Sequence, residues 1–257
     1  MDDLPHSLDR LSTPAFLADR RIVQRNCDRM REKAARSGVI FRPHVKTHKT
    51  IEVALMQHGG AKGPITVSTM AEAEFFADAG FDDITYAVPL APDRIARASA
   101  LAARIATFNV LIDSADALKA IERAYRSSRR VLDVFLKIDC GDHRAGVDPD
   151  NPQSVDLAKS MAKSSAIRFR GLLTHAGQSY KARWEREVRA IARQETEALT
   201  RFRDRVKLRS VASAQRRPRR WRSGSSRMRS APATTSSTMR SRQRSARAPP
   251  KTARSRC

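Results

Sequence analysis

The last 49 residues of this 257-residue chain contain no Leu, Ile, Phe or Tyr and no acidic residue. A segment so poor in apolar side chains cannot bury enough surface to offset the entropy of ordering it, so residues 209–257 are expected to form a disordered Arg/Ser/Pro-rich tail. Cysteine is also scarce: Cys27, Cys140 and Cys257 stand at no paired spacing, which excludes a disulfide framework and any cysteine-built metal cluster and fits a reducing cytosol. No apolar stretch reaches the roughly 18 residues of a membrane-spanning helix. Met1-Asp2-Asp3-Leu4-Pro5 places acids where a secretory signal carries positive charge, so a cytoplasmic protein without membrane contact is expected.

Charge is plentiful but uneven. The chain carries 50 Lys and Arg against 27 Asp and Glu, a net +23 that taken alone suggests a nucleic-acid binder. Fifteen of the basic residues lie in the tail, which leaves 35 against 27 in the rest. The tail lacks the interleaved aromatics that stack on bases, having only Trp221, so no nucleic-acid partner is expected.

Before the tail, short β-branched segments alternate with helix-like ones, the pattern of a parallel α/β fold. Candidate strands are Val39–Arg42, Ile65–Ser68, Ile84–Ala87, Asn109–Ile112, Val134–Asp139 and Arg170–His175. Helical patterns run over Met70–Ala79, Pro92–Ala103, Ala115–Tyr125, Val155–Ala162 and Trp184–Val206. About six βα units result, and their spacing suits either a (β/α)8 barrel or an open doubly wound sheet; pattern does not choose between them. Met56, Met70 and the Phe75-Phe76 pair have the spacing of core residues.

The segment Phe41-Arg42-Pro43-His44-Val45-Lys46-Thr47-His48-Lys49 sets a lysine just past the first candidate strand, with an imidazole two residues to either side. An isolated run of this kind is more often a basic surface loop. At a strand end in a parallel barrel it would instead lie on the face where catalytic groups converge, and an amine among other cations in a partly dry pocket is suited to Schiff-base chemistry.

Four stretches, in order, decide the matter. Arg42 to Lys49 is similar to the cofactor-lysine motif of fold-type III pyridoxal-phosphate enzymes, within them the D-serine dehydratase and D-threonine aldolase family, with Lys46 in the lysine position. Val67 to Glu74 and Ala79 to Ile84 resemble that family's second strand and the helix behind it. Leu136 to Val147 resembles the K-x-D-x-G-x-x-R-x-G stretch shared with alanine racemases, and Thr174 to Tyr180 resembles the segment flanking the cofactor ring. The resemblance covers residues 13 to about 208. It implies a (β/α)8 barrel of the alanine racemase N-terminal type, incomplete here, spanning residues 1–208. It further implies that Lys46 binds pyridoxal 5'-phosphate and acts in catalysis, that His175 lies against the pyridine ring, and that Gln178 and Tyr180 line the pocket. Arg144 would steer a carboxylate or a cofactor oxygen. Asp139 and Asp142 fit no metal signature and are expected to be structural. The implied reaction is elimination from a D-amino acid bearing a β-hydroxyl, D-serine to pyruvate and ammonia; retro-aldol cleavage of D-threonine and non-catalytic cofactor binding are the alternatives. Intact relatives would be homodimers and would carry zinc on a His-x-Cys pair in a second domain.

The chain departs from this family in its tail. Motifs resembling S-x-G-S-T-P and R-P-G-N-Y, expected after strands seven and eight to hold the phosphate, do not appear in frame, nor does the zinc pair. Back-translating Ala212 to Trp221 from the third base of the first codon permits Val-Gly-Ser-Thr-Pro-Thr-Ala at its start. In the same frame, Ser230 to Met239 permits Arg-Pro-Gly-Asn-Tyr-Val-Phe-Tyr-Asp. Two family motifs in order and in one frame indicate a frameshift near residue 210, and the chain as it stands is expected to be inactive.

Overall fold

Helices and parallel strands alternate through the computed structural model, which describes residues 11–128 and 130–207. In chain order these are α1 (Arg20–Arg36), a 3-10 turn (Val45–Thr47), α2 (Ile51–Gln57), β1 (Ile65–Val67), α3 (Met70–Asp78), β2 (Asp83–Pro89), α4 (Ile95–Arg104) and β3 (Thr107–Ile112). They continue with α5 (Ala115–Tyr125), β4 (Leu132–Ile138), α6 (Pro152–Lys163), β5 (Ile167–Thr174), a further 3-10 turn (Gly177–Lys181) and α7 (Glu185–Val206). Short polar side chains start the helices: Thr50, Thr69, Ser114 and Asn151 each accept an otherwise orphaned N–H from the first turn of α2, α3, α5 and α6. No helix of the described residues is long and apolar enough to cross a membrane. The expected disorder of residues 209–257, Cys257 and the two out-of-frame motifs lie outside the described residues.

Strand order settles what pattern left open. The five strands pair in parallel as β1-β2-β3-β4-β5, each beside its sequence neighbour. A doubly wound sheet reverses direction partway; an order that never reverses sends every right-handed crossover to the same face, as in an arc of a barrel. One apolar core accordingly lies between a single face of the sheet and the helices. Ile65, Val67, Ile84, Tyr86, Phe108, Val110, Leu132, Val134 and Leu136 meet Phe76, Leu101, Ile121, Met161 and Phe202 there. The intervening strand positions carry Thr66, Thr85, Asn109 and Lys137, all buried, on the opposite face. That face, the interior of the arc, also carries the buried Leu111, and on it Asn109 Nδ2 donates to Thr85 Oγ1 at 3.1 Å.

The first of the six expected strands is not one. Residues 39–42 run extended beside β1, but pairing is confined to a single bridge between His44 and Thr66, where the Thr66 N–H donates to the Pro43 carbonyl at 2.8 Å. The cause is local: Pro43 has no N–H to donate, and the Arg42 guanidinium reaches the carbonyls of Ile65 and Asp83 while binding both Asp83 carboxylate oxygens at 2.7 and 2.9 Å. A side chain replaces the ladder. Phe75 also departs from expectation: it is half exposed, while Phe76 beside it is fully buried.

Candidate active site

Every expected site residue lies at the carboxyl ends of the strands, the end at which barrels place their chemistry. Lys46 sits within the 3-10 turn Val45–Thr47, level with the end of β1 rather than in a loop after a strand. The His44 side chain caps that turn, its Nδ1 accepting the Lys46 N–H at 3.3 Å, and its Nε2 lies 3.3 Å from Ser68 Oγ. Ser68 in turn donates its N–H to Glu72 at 2.7 Å, and Glu72 pairs with Lys49 at 3.3 Å. Burial, and after it the charge of Lys46, pushes the His44 imidazole down to about 4.

The loop after β4 explains the spacing of the K-x-D-x-G-x-x-R-x-G stretch. Asp139 accepts the N–H groups of Gly141 at 2.8 Å and His143 at 3.1 Å; burial opposes its charge, but these bonds hold its carboxyl below the usual carboxylate range. Gly146, at φ 112°, passes so close to β4 that a Cβ would come within 2.6 Å of the Asp139 nitrogen. Its own N–H donates to Asp113 at 3.0 Å, and Val147 pairs back onto Lys137 and Asp139. Asp139 thus shapes the loop through these bonds, and the folded loop presents Arg144. That guanidinium is largely exposed and lies 3.8 Å from Asp142.

His175 follows the last residue of β5. Burial, then the charges of Arg144, Lys137 and Lys46, depress its imidazole to about 4. Residues from the β1, β4 and β5 ends therefore share one electrostatic neighbourhood. The Tyr180 ring lies 5.6 Å from the His175 ring, centroid to centroid, tilted by 57°, and is itself partly exposed. Gln178 Nε2 donates to the Cys140 carbonyl at 3.2 Å. His175 Nε2 and Gln178 Oε1 are buried without a hydrogen-bond partner, a costly arrangement unless something polar completes them.

The sequence missed Lys137. It is 4% exposed, on the polar face of β4, and burial and the nearby Arg144 lower its amine from the ordinary lysine value. It stands in the recognised stretch, and strand alternation from Val134 points it away from the helices. His44 is visible beside Lys46, but its link to Ser68 needs the structure. Among the described residues, no group of three or more His, Cys, Asp and Glu is gathered that could hold a metal ion. A cleft of about 530 Å³ lined by Ser99, Phe108, Tyr125, Asp133 and Arg168 lies at the amino ends of β3, β4 and β5, away from all these groups.

A family model, alanine racemase N-terminal domain, matches residues 19–220. A D-serine dehydratase of Dictyostelium discoideum is 36% identical over 207 residues, covering 76% of this chain and 52% of the relative. The D-threo-3-hydroxyaspartate dehydratase of Delftia sp. (strain HT23) is 38% identical over 185 residues, covering 72% of this chain and 49% of the relative. Its solved structure superimposes with a TM-score of 0.72 at 35% identity, over 77% of this chain and 52% of that one. A D-threonine aldolase of Arthrobacter sp is 33% identical over 183 residues, 70% of this chain and 48% of the relative. The chain spans about half the length of the curated relatives it matches.

Proposed function

The chain belongs to the alanine racemase N-terminal domain family, and from that premise we propose that it is the barrel portion of a pyridoxal-phosphate-dependent lyase for D-amino acids with a β-hydroxyl, D-serine first. The observation that carries this reading is the gathering of Lys46, His175 and Arg144 at the carboxyl ends of the strands, close enough for both cations to depress the His175 imidazole. The unpartnered His175 Nε2 and Gln178 Oε1 fit a polar aromatic cofactor seated between them and Lys46.

When bound, pyridoxal phosphate supplies a carbonyl carbon for an amine and a π-system that accepts the electrons released at the substrate's Cα. Lys46 Nζ is the amine that would hold it. Once the substrate's amino group has taken that position, the same Nζ is free to remove the α-proton. His175, neutral at physiological pH because burial and three cations oppose its protonation, is the group we assign to the ring, with Tyr180 beside it. Gln178 is anchored to the Cys140 carbonyl and keeps its Oε1 for the pocket. Arg144, exposed and only loosely paired, is free to turn its planar fork to the substrate carboxylate. Loss of the β-hydroxyl as water would leave 2-aminoacrylate, and its imine tautomer would take up one water to give pyruvate and ammonia. Zinc, implied by the resemblance, would be held by residues this chain does not contain.

Cleavage of D-threonine to glycine and acetaldehyde is the second reading, favoured by the Arthrobacter relative. We further propose that residues 1–208 are the partial barrel and that 209–257 are read out of frame. The test is the visible absorbance of the full chain with added pyridoxal phosphate, wild type against Lys46→Ala, followed by D-serine or D-threonine. A band present in the wild type and absent from the variant is expected. A band that survives Lys46→Ala would remove Lys46 from the role.

A further inference from the structure

We propose that His44 is a positioning residue for Lys46, a two-ended clamp that fixes the lysine's backbone to the sheet so that its amine is held toward the site. The inference rests on the reading of Lys46 as the cofactor lysine but is drawn from separate contacts. Lys46 lies in a turn of only three residues, too short to hold itself by its own hydrogen bonds. Its N–H, one of the donors a helix start leaves orphaned, goes to His44 Nδ1 at 3.3 Å. That nitrogen must therefore be bare, which puts the ring proton on Nε2 and makes Nε2 the donor to Ser68 Oγ at 3.3 Å. Ser68 is fixed independently, through its N–H to the nearly buried carboxylate of Glu72 at 2.7 Å. The His44 backbone bridges to Thr66. Ring and backbone are thus both tied to the β1 end, and Lys46 is tied to the ring.

Protonation would abolish the clamp, because a charged imidazole has no acceptor for the Lys46 N–H. The groups facing the ring are Lys46 from its own turn, Glu72 from α3 and His175 from the end of β5; burial and Lys46 outweigh Glu72 and keep the ring neutral. Neutrality is part of the device.

The experiment uses the full chain in four forms: wild type, His44→Phe, His44→Asn and Ser68→Ala. Pyridoxal 5'-phosphate adducts are trapped with borohydride and mapped to individual lysines, and amide hydrogen exchange at Lys46 is followed without cofactor. His44→Phe removes the acceptor and is expected to reduce labelling of Lys46, relative to other lysines, by about tenfold and to speed its amide exchange by a similar factor. His44→Asn restores an N-cap acceptor and should recover most of both. Ser68→Ala frees only the far end and should show a smaller change in the same direction. If His44→Phe does not fold, Ser68→Ala still decides, with His44→Asn read against the wild type. Exchange and labelling unchanged in Ser68→Ala, or His44→Asn faring no better than His44→Phe, would overturn the clamp. Protected Lys46 amide in a wild type that never labels at Lys46 would remove the cofactor reading while leaving the clamp in place.

Discussion

Two imidazoles at the site, His44 and His175, are held at about 4, in each case first by burial and then by a neighbouring cation. The ordinary value is 6.5, so between about 6.5 and 4 the unfolded chain binds protons that the folded chain refuses. The stability these rings contribute is fully present above about pH 6.5 and is lost as pH falls toward about 4, below which it levels off. Each tenfold weakening of proton affinity is worth about 1.4 kcal/mol, so with allowance for partial solvent screening each ring accounts for about 1–3 kcal/mol across that window. His175→Phe should shallow the fall by that amount, read from urea unfolding of both proteins at pH 7 and pH 4.5; parallel losses in wild type and variant would contradict it. Function depends on the same balance. A neutral His175 adds no charge to the neighbourhood of Lys46, Lys137 and Arg144. Lys46, His175 and Arg144 stand out in the sequence through the resemblance of their segments to the family's motifs, and the structure brings the three to the same end of the sheet. Lys137 and Ser68 do not stand out, because one owes its place to which face of β4 is buried and the other to a contact between residues 24 apart.

The secondary-structure elements show a similar division between local and non-local causes. Helix α5 runs over Ala115–Tyr125 as its pattern indicates, because Ser114 marks its start and Leu118, Ile121 and Tyr125 recur on its buried side. Helix α1 leaves a fainter trace: Val23, Cys27, Met30 and Ala34 recur at helical spacing, but of its 17 residues only Cys27 and Ala34 are buried, and charged residues fill most other positions. The composition of residues 39–42 is that of a strand, and what the pattern cannot show is that the Arg42 side chain reaches past Ile65 of β1 to Asp83 at the start of β2. This ion pair is one attachment of the Lys46 segment to the sheet, with the Arg42 side chain 16% and the Asp83 side chain 29% exposed. Arg42→Met would leave the Asp83 carboxylate and two carbonyls without their partner, and a loss of about 2–3 kcal/mol is expected. Chemical denaturation measures it. The double variant Arg42→Met/Asp83→Leu should recover part of the loss, which separates a stranded charge from lost packing.

At the scale of the whole molecule, the polar face of the sheet is the decisive surface. Thr66, Thr85, Asn109 and Lys137 are suited to the interior of a closed barrel, where further strands would complete their hydrogen bonding; Asn109 Oδ1 is buried without a partner. The family match runs on to residue 220, beyond the last described helix, while the relatives are about twice as long as the matched region. The proposed frameshift rests on neither fact but on the two motifs that the shifted frame permits between Ala212 and Met239. Restoring that frame near residue 210 should add the strand-seven and strand-eight phosphate motifs, pair the far edge of β5 and close the polar face. The expected product melts at a higher temperature than the present chain, holds pyridoxal phosphate through dialysis and turns over D-serine, whereas the present chain does none of the three. Resequencing across the codon for residue 210 comes first. Codons that cannot spell Gly-Ser-Thr-Pro in the shifted frame end the proposal; a restored protein that is stable and loaded yet inert toward D-serine, while cleaving D-threonine, keeps the frame and moves the activity to the aldolase branch.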